Sequence, residues 1–242
     1  MKEQTVSAAL AHRRSVRVYD PKKPLPNTAV EDSLKAASLA PNSSNLQLWE
    51  FHHIEGETAL KDVAACCFNQ PAAKTAQEMV VFVVRRDLWR ERIADNIAHV
   101  KRSFEKSKDR DPKKEKGALS YYGKIIPQLY GGASWLGGLL KYAKVQLDGI
   151  KKTTYREVRQ SDMRIVAHKS TALAAQSFML SLAAKGYDTC PMEGFDSKRL
   201  KQVLGLPATV EINMVVSCGI RKEEGIYGER FRVPFEKVYH KH

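Results

Sequence analysis

The chain has 242 residues, 43% of them hydrophobic, enough for a large single core, and it carries a formal net charge of +13 at pH 7. That charge favours anionic partners, but the basic residues are dispersed and no helix-turn-helix, zinc-finger or RRM signature accompanies them, which argues against nucleic acid. Four cysteines without metal spacing or a disulfide pattern point to reduced thiols in a cytoplasmic setting; the longest uncharged run, 125–140, holds Pro127 and several glycines and is too short to span a membrane.

The first fourteen residues, MKEQTVSAALAHRR, are too short and too charged for a signal peptide, and 4–12 read as a short helix running into an arginine cluster. In LPNTAVEDSLKAASLAP, Thr28 and Glu31 have the spacing of a capping box, and Val30, Leu34 and Ala37 recur at helical spacing until Pro41. NSSN at 42–45 is a polar turn, LWEFHHI a strand, and MVVFVV (79–84) a strand buried on both faces. From residue 86 to 164 the composition shifts. The mixed-charge run 101–116 reads as a solvated helix end and loop; the glycine-broken apolar stretch 125–142 suits either a mobile flap or a core insert. Residues 170–188 form the strongest helix, with Ala172, Gln176, Met179 and Ala183 on one stripe and Gly186 as its stop. TCPMEGFD is a turn, 196–204 a charged helix, 210–219 a buried strand, and the tail from Arg230 an extended arm. Helices interleaved with a few strands, without a regular βα repeat, place the chain in the α/β (α+β) class as one domain, 1–242, with an atypical insert at 86–164.

Four stretches can carry chemistry. Arg13, Arg14, Ser15 and Arg17 are either surface charge or half of a phosphate site, since arginine meets phosphate with a planar fork and serine adds a neutral donor. Asn42, Ser43, Asn45 and Gln47 suit the polar edge of a heterocycle, or only a helix-to-strand turn. Pro191, Met192, Glu193 and Gly194 make a turn whose N–H groups can face a ligand, or one that merely leads into a helix capped by Asp196. Arg230 and Arg232 alternate on an extended segment and so project to one side. His52, His53 and His168 have no carboxylate or cysteine spaced to suit a metal and read as strand and helix residues.

Taken in order, these stretches resemble the FMN-dependent nitroreductases. That family has an R-x-S-x-R/K cluster after the first helix, an S/N-S-x-N-x-Q-x-W turn before the first strand, P-x-E-G-F after the central helix and a basic pair near the C-terminus. The resemblance covers 10–85 and 165–235 and implies a homodimer with a central mixed sheet surrounded by helices. It implies that Arg13, Arg14 and Ser15, with Arg230 and Arg232, hold the FMN phosphate, and that Arg17 lies by the flavin N1/O2 edge, where a fixed cation stabilises developing charge. It places Asn69 on the polar edge of the ring, Asn42, Ser43 and Asn45 in a turn supplied across the dimer interface, and Glu193 and Gly194 in the turn facing N5. The implied activity is electron transfer from NAD(P)H to a nitroaromatic, quinone or similar small acceptor by a ping-pong route. Dehalogenation, enone reduction or flavin fragmentation on the same fold is the alternative, with the insert as discriminator; a non-enzymatic basic flavin- or nucleic-acid-binding protein is a third. Three departures stand out: Ala72 replaces a lysine found in several members, with Lys74 two residues on, Leu48 replaces a proline, and 86–164 matches nothing in the family.

Overall fold

The structure is a computed structural model that describes residues 3–131 and 135–242. Its elements follow one another as α1 (Val6–His12), α2 (Ala29–Ala37), β1 (Trp49–Ile54), α3 (Glu57–Cys66), α4 (Pro71–Lys74), β2 (Glu78–Val84), α5 (Trp89–Lys106), α6 (Pro112–Ser120), α7 (Ile126–Tyr130), α8 (Trp135–Lys151), α9 (Gln160–Ala184), β3 (Asp188–Met192), α10 (Ser197–Val203) and β4 (Glu211–Gly219). The strands form one sheet in the order β1-β2-β4-β3. All neighbouring strands pair antiparallel, so the mixed character expected of the sheet reduces to one parallel bridge, Ser15 to Thr189.

Period-2 geometry divides β2 between two cores. Met79, Val81 and Val83 pack with Val63, Ala72 and Leu200 beneath α3, α4 and α10, while Val80 and Phe82 meet Val30, Phe178 and Leu182 of α2 and α9 on the other face. The expected burial of this strand on both faces is therefore what the fold requires. At its end Val84 joins a third cluster with Leu46, Leu48, Ile93, Ile126, Tyr130 and Met163. Leu48 is buried in that cluster, and so is part of the apolar stretch 125–142. The remainder of that stretch includes 132–134, which lie outside the described residues. The charged run 101–116 is the end of α5, a loop and the start of α6, as expected.

Several local readings change. No capping box forms at Thr28, because its backbone is already helical (φ −99°, ψ −6°) and its side chain makes no cap bond. The entry is closed by the Ala29 N–H donating to the Pro26 carbonyl instead. Helix α9 begins ten residues before the expected start at 170; of the expected stripe Met179 and Ala183 are buried, Ala172 is half-buried and Gln176 is exposed, and Ala167, Thr171, Ala174, Ala175, Phe178 and Leu182 complete the buried face. The turn expected at 189–196 is strand as far as Met192 and opens only at Glu193. Asp196 does cap α10, accepting from the N–H groups of Lys198 and Arg199 at 3.1 Å each. No helix among the described residues is long and apolar enough to cross a membrane.

Candidate active site

The arginine cluster follows directly on α1. Its segment is pinned by Val16, whose N–H donates to the Thr189 carbonyl (3.1 Å), and by Arg17, whose N–H donates to the Gly225 carbonyl (2.7 Å). The buried Tyr19 hydroxyl meets Ser217 Oγ at 2.9 Å. Two glycines make room for this threading. A Cβ on Gly219 would come within 2.6 Å of the Tyr19 ring, and one on Gly225 would collide with the Val18 carbonyl.

Held this way, Arg13, Arg14, Ser15 and Arg17 line a cavity of about 250 Å³ together with Tyr227, Glu229, Arg230, Phe231 and Arg232. Two of the four expected stretches therefore meet, although more than two hundred residues separate them. The arginines differ in how they are used. Arg230 donates to the carbonyls of Ala11 (2.8 Å) and Arg13 (2.7 Å), binding the tail to the negative end of α1, and Arg14 donates to the Gly228 carbonyl (2.9 Å). Arg232 donates to its neighbour's carbonyl, of Phe231. Among the described residues, the guanidiniums of Arg13 and Arg17 have no partner in the chain. Burial, then the charges of Arg230, Arg232 and Arg14, lower the pKa of Arg13. Cations gathered at this density, with Glu229 the one carboxylate lining the cavity, form a site for an anion.

Beneath it lies a network that the sequence did not reveal. Asp188, at the start of β3, accepts from the Arg221 N–H and Nε, each at 2.8 Å, and from Nη2. Arg221 Nη2 also donates to the His12 carbonyl (3.2 Å), and His12 Nε2 lies 3.3 Å from Asp188. The last residue of α1 is thereby locked to the sheet one position before Arg13.

The third stretch comes together with Asn69. Phe68 and Asn69 are left-handed (φ 55° and 50°) where α3 ends, and the next residue, Gln70, donates from Nε2 to the Gly194 carbonyl at 2.8 Å. Gln70 thus couples the Asn69 corner to the 193–194 turn, a link with no sequence signal beyond adjacency. Glu193 and Gly194 are exposed, whereas the Met192 side chain is buried in the core, so only its backbone can face a ligand. Nothing in the chain requires glycine at 194: a Cβ there would meet Gln70 Nε2 at an ordinary 3.6 Å. Ala72 is fully buried, and Lys74 is exposed.

The turn at 42–47 lines none of this. Ser44, Asn45 and Gln47 are left-handed, at φ 55°, 51° and 47°. The turn is clamped from elsewhere: Asn45 Nδ2 donates to Asn96 Oδ1 (3.0 Å), Tyr122 OH to the Ser44 carbonyl (3.1 Å), and the Ser43 N–H to Ser170 Oγ (3.2 Å). Asn42 is spent locally, its Oδ1 accepting from the Gln47 N–H (2.9 Å).

The histidines do have carboxylate neighbours, contrary to the sequence reading. His53 Nε2 is 2.6 Å from Glu78 and 3.5 Å from Glu55, and His168 Nε2 is 3.3 Å from Glu211. Strand pairing and tertiary packing create these contacts, which no spacing along the chain shows. The ligand atoms of His53, Glu55 and Glu78 lie within 4.8 Å of one another, and the short His53–Glu78 hydrogen bond accounts for the grouping without a metal.

The Nitroreductase family matches residues 10–220. Protein DrgA of Synechocystis sp. is 27% identical over 221 residues, covering 89% of this chain and 84% of its own. The NADH dehydrogenase of Thermus thermophilus is 26% identical over 230 residues, 95% and 92% of the two chains. Among solved structures, a chain described as a nitroreductase in complex with FMN, from Exiguobacterium sibiricum, superposes with a TM-score of 0.68 at 19% identity, covering 100% of this chain and 99% of that one. An enone reductase of gut-bacterial fatty acid saturation superposes with a TM-score of 0.70 at 17% identity, with 100% and 99% covered.

Proposed function

The chain belongs to the nitroreductase family, and from that premise we propose that its arginine-lined cavity receives the phosphate of FMN and that the protein passes electrons from NAD(P)H to a small acceptor. The observation that carries this reading is the pair of unpartnered guanidiniums, Arg13 and Arg17, flanking Ser15 in that cavity. A phosphate dianion relieves the mutual repulsion that lowers Arg13 and gains charge-assisted hydrogen bonds from it. The residues present fit the group at a second point, because the Glu193–Gly194 turn is exposed and is held by Gln70, which donates to the Gly194 carbonyl.

Arg13 and Ser15 hold the phosphate in this account, and Arg14 and Arg230 fix the cradle by tying the tail to α1. Arg232 adds positive charge to the wall. Arg17 supplies a fixed cation toward the ring, Asn69 a polar contact, and the Glu193–Gly194 turn, held by Gln70, a backbone surface for the ring. When bound, FMN would supply the redox chemistry that links NAD(P)H to the acceptor in two separate, ping-pong, half-reactions. Because the 42–47 turn does not reach its own cavity, we assign Asn42, Ser43 and Asn45 to the other subunit's site in a homodimer. Residues 1–242 act as one domain, and α5–α8 shape the acceptor side, where a nitroaromatic or quinone is the reading preferred to an enone. The four buried, unpaired cysteines suit the cytoplasm.

Affinity for the phosphate group is the test. Protein stripped of flavin should bind FMN at least about tenfold more tightly than riboflavin, since each charge-assisted hydrogen bond contributes about 1.5–3 kcal/mol. Arg13→Ala should erase most of the difference while the protein stays folded. Equal affinities in the wild type would refute the assignment.

A further inference from the structure

Among the described residues, helix α8 is tied to neighbouring segments by polar contacts, one of them Lys141 Nζ donating to the Gln128 carbonyl. Arg156 donates to Gln146 Oε1 and to the Gly149 carbonyl, both at 2.6 Å, and the Arg159 guanidinium lies 5.0 Å over the Tyr142 ring. At 3.6 residues per turn, Leu139, Leu140, Ala143, Leu147 and Ile150 share a different face. That face is turned to solvent: Leu139 is 56% exposed, Leu140 and Leu147 66% and Ile150 77%. A contiguous apolar stripe of this kind needs something to cover it.

Charge identifies the cover. Lys144 and Lys151, both exposed, follow the stripe along its edge. The segment 86–164 around α8 has 19 Lys and Arg against 10 Asp and Glu, a net +9 out of the chain's +13. A second copy of this chain would satisfy the leucines but would bring two strongly basic segments together. A neutral apolar partner would leave the lysines unused. An anionic bilayer satisfies both faces of the pattern, and a helix with a lysine-bearing polar face lies in the interface instead of crossing it. We propose that α8 docks flat on an anionic lipid bilayer, with Leu139, Leu140, Leu147 and Ile150 in the acyl boundary and Lys144 and Lys151 against headgroup phosphates. Docking of this kind needs no spanning segment. The proposal does not depend on the FMN assignment.

The test is co-sedimentation of the full-length protein with vesicles of phosphatidylcholine alone and of phosphatidylcholine mixed with phosphatidylglycerol, with gel filtration in parallel. The bound fraction should be at least about tenfold higher on the mixed vesicles and should fall as salt is raised. The double variant Leu147→Glu/Ile150→Glu should lose about tenfold of that binding with its helical content unchanged, because the altered side chains are exposed. Equal binding to both vesicles, or none, would overturn the proposal. So would binding to mixed vesicles that the double variant retains, which would mark diffuse polycation attraction. Concentration-dependent self-association that the variant abolishes, without vesicle binding, would instead identify a second copy as the cover and also overturn it.

Discussion

At Asp188 a carboxylate only 2% exposed holds Arg221 and, through it, the end of α1. Asp188→Asn removes the charge but not the volume, leaving Arg221, 26% exposed, with a partly desolvated guanidinium facing a neutral amide. Such a change should cost about 3 kcal/mol, read as a lower urea midpoint, and should weaken FMN binding because Arg13 loses its fixed approach. A variant with unchanged stability and FMN affinity would show that the network does not position the cradle. His53 gives a second residue-scale prediction. Its hydrogen bond to Glu78 raises its pKa, against burial, with further help from the charges of Glu78 and Glu55. The folded state therefore binds the proton more tightly than the unfolded state. The resulting stability is complete below the unfolded value of about 6.5 and is lost as pH rises through the higher folded value. Urea midpoints measured from acid to alkaline pH should fall across that window, and His53→Gln should flatten that part of the slope; an unaltered slope would count against the pair.

Among the elements, α9 shows best what pattern reading can and cannot reach. Its existence was legible from the small and apolar residues after 170, and Met179 and Ala183 of the expected stripe are buried, but Gln176 was set inside and Phe178 was not. The start was missed because Asp162 does the capping from within the helix, its side chain accepting the Arg159 N–H at 2.9 Å, with no Ser or Thr to announce it. Phe178→Ala should therefore cost about 3–5 kcal/mol and Gln176→Ala less than about 0.5 kcal/mol, a contrast that urea unfolding of the two variants decides. Strands β2 and β4 were legible because β-branched runs bounded by polar residues have few alternatives, and β1 was legible from its aromatic residues after the polar turn. Strand β3 was not, since Asp188 and Pro191 are poor strand formers and the segment is made strand by pairing with β4. In the site, Arg13, Ser15 and Arg230 could be named from sequence. Their meeting in one cavity, Gln70 as a bridge and Asp188 as an anchor depend on contacts between distant segments.

Over the whole molecule, segment 86–164 carries a net +9 of the chain's +13, and the family match over 10–220 runs through it, so the expectation that this segment matches nothing in the family is corrected. An anionic nicotinamide donor should be drawn by that field, so raising ionic strength should increase the KM for NADPH more than the KM for a neutral acceptor. An equal response of the two would argue against steering. The central claim is that the chain binds FMN and takes electrons from NAD(P)H, and one measurement tests it most directly: the visible absorption spectrum of the purified protein without oxygen, before and after adding NADPH. The account predicts a flavin spectrum that bleaches on addition. A colourless protein that takes up no added FMN, or a flavin band that neither NADPH nor NADH bleaches, would contradict it.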